Sequence, residues 1–195
     1  MGLTVAGSTS LSSQQLALSN GILTFQSAPS LSNSSTLSVS NGELVLKNGG
    51  TFNGSTLQLN SSVFKPTGSI SVTNGGTFVL NETSSVALEG DTTLSQSGSV
   101  NWPELDLGGK KLTLGSTVGS FTVQKALNIA NGESLTSSGT SVLNLGSTLS
   151  IADGGKLSSG TGNTSVQGAL TLNGEIEQGG GILNLIQGGT VGATG

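Results

Sequence analysis

Along the chain, apolar residues stand in pairs with one residue between them: Leu16/Leu18, Leu37/Val39, Leu44/Leu46, Leu57/Leu59, Ile70/Val72, Val86/Leu88, Leu105/Leu107, Leu112/Leu114, Phe121/Val123, Leu127/Ile129, Leu149/Ile151 and Leu170/Leu172. Successive side chains of a strand point to opposite faces, so this alternation predicts short strands with one dry and one wet face. A helix would need apolar residues at i, i+3 and i+4. That spacing is missing, and Gly, Ser, Thr and Asn, which saturate the sequence, are poor helix formers.

The predicted strands are punctuated at a near-fixed interval by Asn20-Gly21, Asn41-Gly42, Asn74-Gly75, Asn131-Gly132, Asp153-Gly154 and Asn173-Gly174. Asn20 to Asn41 is 21 residues, Asn131 to Asp153 is 22, Asp153 to Asn173 is 20, and the 57 from Asn74 to Asn131 is close to three such periods. A second marker, Ser/Thr-Thr-Leu, recurs around Thr36, Thr56, Thr92 and Thr148, with Thr77-Phe78 as a variant. A third is Asn48-Gly49-Gly50-Thr51-Phe52 against Asn74-Gly75-Gly76-Thr77-Phe78, nearly the same pentapeptide one long coil later.

Short strands between turns could close into an up-and-down sandwich or wind as one continuous coil. The period selects the coil, an all-β solenoid of about 20 residues per turn in which each side chain stacks on its equivalent about 4.8 Å along the axis. Asn20, Gly21, Asn41, Gly42, Asn74, Gly75, Asn131, Gly132, Asp153 and Gly154 are then its corners, because Asn, Asp and Gly tolerate positive φ. Some nine coils would make a rod on the order of 40 Å long.

Composition narrows the function. Charged residues are 8% of the chain, where about 25% is usual, and Gly reaches 32 of 195. Leu, Val and Ile nevertheless recur regularly enough to bury a core, so the chain reads as ordered. There is no Cys or His, and the six basic residues are Lys47, Lys65, Lys110, Lys111, Lys125 and Lys156. That excludes zinc sites, Cys nucleophiles and Ser-His triads, and no catalytic residue, metal ligand or cofactor is assigned. A net charge of -4 without Arg argues against nucleic acid. No apolar run reaches the roughly 18 to 20 residues of a membrane-spanning helix. Met1-Gly2 reads as an expression start, and Gly192-Ala193-Thr194-Gly195 carries no capping element. Residues 1–195 therefore read as a single solenoid excised from a longer array, whose bare edges would favour end-to-end self-association.

The loosely repeated Leu-x-Val/Ile-x-Asn-Gly-Gly-x-Leu/Phe units, rich in Ser and Thr and free of Cys and His, resemble the repetitive passenger regions of secreted bacterial adhesins. Autotransporter passengers and filamentous-haemagglutinin-like exoproteins are the nearest in style, and phage tail fibres share much of the rhythm. The resemblance implies a single-stranded, right-handed parallel β-helix carried outside the cell or at the bacterial surface. It implies a non-enzymatic stalk or contact surface for host-cell or extracellular surface components, glycans among them. It transfers no functional residues.

Three groups invite chemistry. Carboxylates occur as i, i+2 pairs, Glu89/Asp91, Glu104/Asp106 and Glu175/Glu177. On a strand each pair shares a face roughly 6.5 to 7 Å apart, which overlaps the lower end of inverting-glycosidase geometry, but Ile176 pointing inward between two solvated acids accounts for the last, and there is no Arg, His or Tyr to bind sugar carboxylates or tune the acids. Trp102 in Asn101-Trp102-Pro103-Glu104-Leu105 breaks the rhythm. Beside Glu104 and Asp106 it could stack on a sugar, as a tail-fibre or carbohydrate-binding solenoid would require; otherwise it fills the core. Pro103 should force a bulge or register change, and Phe64-Lys65-Pro66 a smaller one. Finally, Asp153-Gly154-Gly155-Lys156 puts Lys where a calcium-binding β-roll needs acid. The Thr36, Thr56, Thr77 series is too short for a flat water-ordering array.

Overall fold

The computed structural model describes residues 1–192; of the expected uncapped ending, Ala193, Thr194 and Gly195 lie outside them. Twenty-eight short strands and no helix make up the described chain, so no helix is long and apolar enough to cross a membrane. With two exceptions described below, strands pair in parallel with the strand three further along. That interval of three defines a coil with three faces, and the chain is a β-solenoid of nine such coils. The first face starts at Gly2–Val5, the second at Ser10–Ser12 and the third at Gln15–Ser19.

Register follows the alternation read from the sequence. Thr36, Thr56 and Thr77 are direct partners on the third face, and so are the inward residues Leu37, Leu57 and Phe78. On the first face Leu23, Leu44 and Phe64 stack in the same way, all fully buried. The coil step varies from 19 residues, Val86 to Leu105, to 24, Ser69 to Thr93. The corners absorb this variation, because the inward rungs must stay aligned to keep apolar surface covered at roughly 25 cal/mol per Å².

The Asn-Gly corners belong to separate series, which corrects the single series of the sequence. Asn20-Gly21 and Asn41-Gly42 turn the third face into the first, Asn74-Gly75 turns the second into the third, and Asn131-Gly132, Asp153-Gly154 and Asn173-Gly174 turn the first into the second. The 57-residue gap is a change of corner and not three full turns. Asn20, Asn41 and Asn74 themselves take positive φ, whereas at the other corner the following Gly132 and Gly154 do so. Likewise the two pentapeptides are not equivalent: Phe52 lies on the second face beside Leu31 and Val72, while Phe78 lies on the third beside Leu57. Thr92-Thr93-Leu94 and the strand Leu149–Ile151 also lie on faces other than that of Thr36.

The second face is one uninterrupted nine-stranded sheet, from Ser10–Ser12 to Glu175–Gln178. The other two faces break mid-length. No ladder joins Thr77–Leu80 to Gly98–Trp102 on the third face, or Leu105–Asp106 to Leu127–Ile129 on the first. Trp102 and Pro103 sit between these interruptions. Pro103 occupies the corner itself, where no ladder N–H is needed, and the register shift falls earlier in that strand, between Gly98 and Ser99. Where the third-face ladder parts, aromatic packing continues: Phe64–Phe78, Phe78–Trp102 and Trp102–Phe121 meet edge to face at 5.0, 6.1 and 5.0 Å between centroids.

The smaller irregularity expected at Phe64-Lys65-Pro66 does not displace the strand. Val63–Pro66 keeps full register with Glu43–Leu46, and only its pairing with Ser85–Ala87 stops at Phe64. The Pro66 carbonyl accepts from Glu89 on that side, so the missing Pro N–H faces the edge where the ladder has already ended.

Candidate functional site

Trp102 is 1% exposed, which leaves no ring face for a sugar. The core alternative weighed for it is the one observed. Its neighbours go elsewhere: Glu104 pairs with Lys125 at 2.6 Å, and Asp106 turns back to accept the Gly108 N–H at 3.0 Å. The structure therefore does not bring Trp102, Glu104 and Asp106 together as a contact.

The other acid pairs are also engaged by neighbouring coils. Glu89 pairs with Lys47, two coils earlier, while Asp91 accepts the Lys111 backbone N–H at 3.0 Å. Ile176 is half-buried with Glu175 and Glu177 on the wet side, as the alternation implied, and Lys156 bridges the two acids at 3.4 and 2.9 Å. Lys65 pairs with Glu43 at 2.8 Å in the same cross-coil manner. Such exposed pairs add little stability; only Lys156 and Glu175 are direct register partners, where opposite charges disfavour a slipped register.

The Lys156–Glu177 pair shifts both groups. Glu177 titrates below its usual 4.5, chiefly because it accepts from Lys156 and then from Ser158. Lys156 titrates above its usual 10.5, chiefly through its bond to Glu177, with partial burial opposing and Glu175 assisting. A depressed acid stabilises the fold above its unfolded value and loses that contribution as pH falls through the folded value; a raised lysine loses its contribution as pH rises through its own. The pair is thus complete between about 4.5 and 10.5. A carboxyl-detected NMR titration should place Glu177 below 4.5 and return it towards that value in Lys156→Met; an unchanged midpoint would show that the lysine is not its partner.

Two features were not legible in the sequence. Glu133 is 7% exposed and takes two backbone donors, Gly109 N–H at 2.6 Å and Ala130 N–H at 2.7 Å. It ties the turn after Ile129 to the coil before, a role for which an isolated Glu gives no signal. Asp153 stands exposed at its turn, beside a groove of about 500 Å³ lined by Gly154, Gly155, Lys156, Asn173, Gly174 and Glu175. Among the described residues no three acidic side chains gather as a metal site would require.

The most regular exposed surface is the second face. Ser10, Ser30, Thr51, Ser71 and Ser95 form one register column, and Ser69, Thr93, Thr113, Thr136 and Ser158 form the next. None is buried, because each alternates with an inward apolar residue. The columns place hydroxyls about 4.8 Å apart along the axis, on a sheet whose ladder is unbroken. On the third face some stacked hydroxyls bond one another, Thr56 with Thr77 at 3.1 Å and Ser120 with Ser99 at 2.8 Å.

No protein-family model, curated protein or solved structure matches this chain. What it can do is therefore argued from its own geometry. Neighbouring coils supply lysine partners for Glu43, Glu89, Glu104, Glu175 and Glu177, its single indole is buried, and its second face carries ordered columns of neutral hydroxyls.

Proposed function

We propose that the chain is a non-enzymatic segment of a secreted or surface-exposed bacterial adhesin, serving as a rigid stalk or contact surface outside the cell. The observation that carries this reading is the second face, nine strands in unbroken parallel register with ordered hydroxyl columns on its wet side. A backbone ladder running the length of the coil stack resists bending, and a neutral polar lattice suits weak, repeated contacts to glycans or other extracellular surface components. Partnering Glu89, Glu104, Glu175 and Glu177 with lysines works against a free acid and base pair of the kind glycoside hydrolysis needs. The tail-fibre alternative would likewise have to use this face, since its candidate Trp102 is enclosed.

A glycan array probed with the full chain, run beside an assay for released reducing sugar, tests the proposal. Retention without sugar release is expected. Retention that falls at least about tenfold in Thr113→Lys would make the hydroxyl face the contact, and uniform silence would make the segment a stalk. Sugar release by the purified chain would overturn the non-enzymatic reading.

A further inference from the structure

The interior corner between the second and third faces changes character in the last three coils. The inward rung occupied by Ile70, Leu94 and Leu114 continues as Ser137, then Ser159 and Gln178. Ser137 and Ser159 are each 3% exposed, and Thr164, across the corner, is fully buried. The hydroxyls of all three, with Gln178 Oε1, find no hydrogen-bond partner within the protein. The Gln178 Nε2 donates to the Gly162 carbonyl at 2.7 Å, which holds that amide at the same corner, two residues before Thr164.

Serines in equivalent corners of earlier coils are satisfied locally: Ser35 donates to the Ser32 carbonyl at 2.6 Å and Ser55 to that of Asn53 at 3.2 Å. Among the described residues the orphaned buried hydroxyls therefore fall in these three coils, while the other orphaned atoms, Gln96 Oε1 and Trp102 Nε1, lie in earlier coils. Nearby glycines, Gly160, Gly162, Gly179 and Gly181, supply no side chain to pair with them. Serine is smaller than the leucine it succeeds on this rung, and its side chain ends in an oxygen. The stacked Ser137 and Ser159 hydroxyls make no direct bond to each other, yet a single water between two hydroxyls on rungs about 4.8 Å apart can reach both.

We propose that this corner holds a file of ordered water molecules, bridging Ser137, Ser159, Thr164 and Gln178 from coil to coil. Each water would have the two or more polar partners that a buried water needs, and the buried hydroxyls would no longer be unpaired. The file would replace apolar rungs with a wet seam inside an otherwise dry solenoid.

Water-oxygen magnetic relaxation dispersion on the full chain, compared with the variant Ser137→Ala/Ser159→Ala/Thr164→Val, reads this directly. The wild type should show waters held longer than molecular tumbling, and the variant should lose at least half of that amplitude while keeping its strand circular dichroism. Equal amplitudes in two folded proteins would overturn the proposal. Should the variant not fold, a high-resolution crystal structure of the wild type decides. Density between the Ser137 and Ser159 hydroxyls supports the file; hydroxyls turned onto backbone carbonyls with nothing between them sink it.

Discussion

Trp102→Ala should destabilise the solenoid by about 3–5 kcal/mol, the cost usual for emptying the site of a large buried aromatic. The effect is expected to be large because this indole lies where two faces lose their ladders. Phe78 and Phe121 belong to strands that no backbone bond connects, and Trp102 packs edge to face on both. Removing it takes away the packing that spans the interruption in the third face. Trp102→Phe should be much milder, since the buried indole N–H has no partner to lose and a ring remains to meet both neighbours. Urea unfolding followed by far-ultraviolet circular dichroism measures both. Amide exchange should also accelerate first around Thr77–Leu80 and Gly98–Trp102 in Trp102→Ala. A loss below about 1 kcal/mol for the alanine variant would mean that the indole is not the plug described.

Gly162→Ala is the second large effect. A methyl at this position would lie 2.5 Å from the Ser141 carbonyl carbon and 2.7 Å from the Thr140 oxygen, and closer still to the Ser141 oxygen. Those atoms belong to the backbone of the preceding coil and cannot swing aside as a side chain can. The next coil repeats the close approach, Gly181 lying against the Gly162 carbonyl. We expect a loss at or above the upper end of the about 1–3 kcal/mol typical of overpacking. Gly132→Ala is the matched control. It has positive φ but nothing within 4 Å of its added methyl, so it should cost only the roughly 1–2 kcal/mol of left-handed backbone. Thermal melts of the two variants side by side decide the matter, and a Gly162→Ala melt no lower than that of Gly132→Ala would refute the close-stacking argument.

These two residues illustrate what could be read ahead of the fold. Trp102 announced itself as a break in the rhythm, and its sequence neighbours Glu104 and Asp106 suggested a contact. Adjacency in sequence does not fix direction, and the corner at Pro103 turns Glu104 towards Lys125 while the ring points inward. Gly162 gave no sequence signal. It belongs to none of the Asn-Gly turns, and its need for glycine comes from the coil beneath it. Glu133 was silent for the same reason, because its donors are backbone groups brought near by stacking.

By itself the sequence determined the strands, their inward and outward residues and the winding of one continuous coil, because period-two alternation and turn-forming residues act through local sterics and solvation. The Thr36, Thr56 and Thr77 partnership follows from that alone, since equal spacing places equal residues on equal rungs. Only the tertiary structure decided which corner each Asn-Gly turns, where the ladders part, and which lysine meets which acid. Those outcomes depend on coil steps that vary from 19 to 24 residues. A turn one residue longer or shorter is locally indistinguishable, and its consequence appears only when the next coil must lay its apolar rungs on the one before.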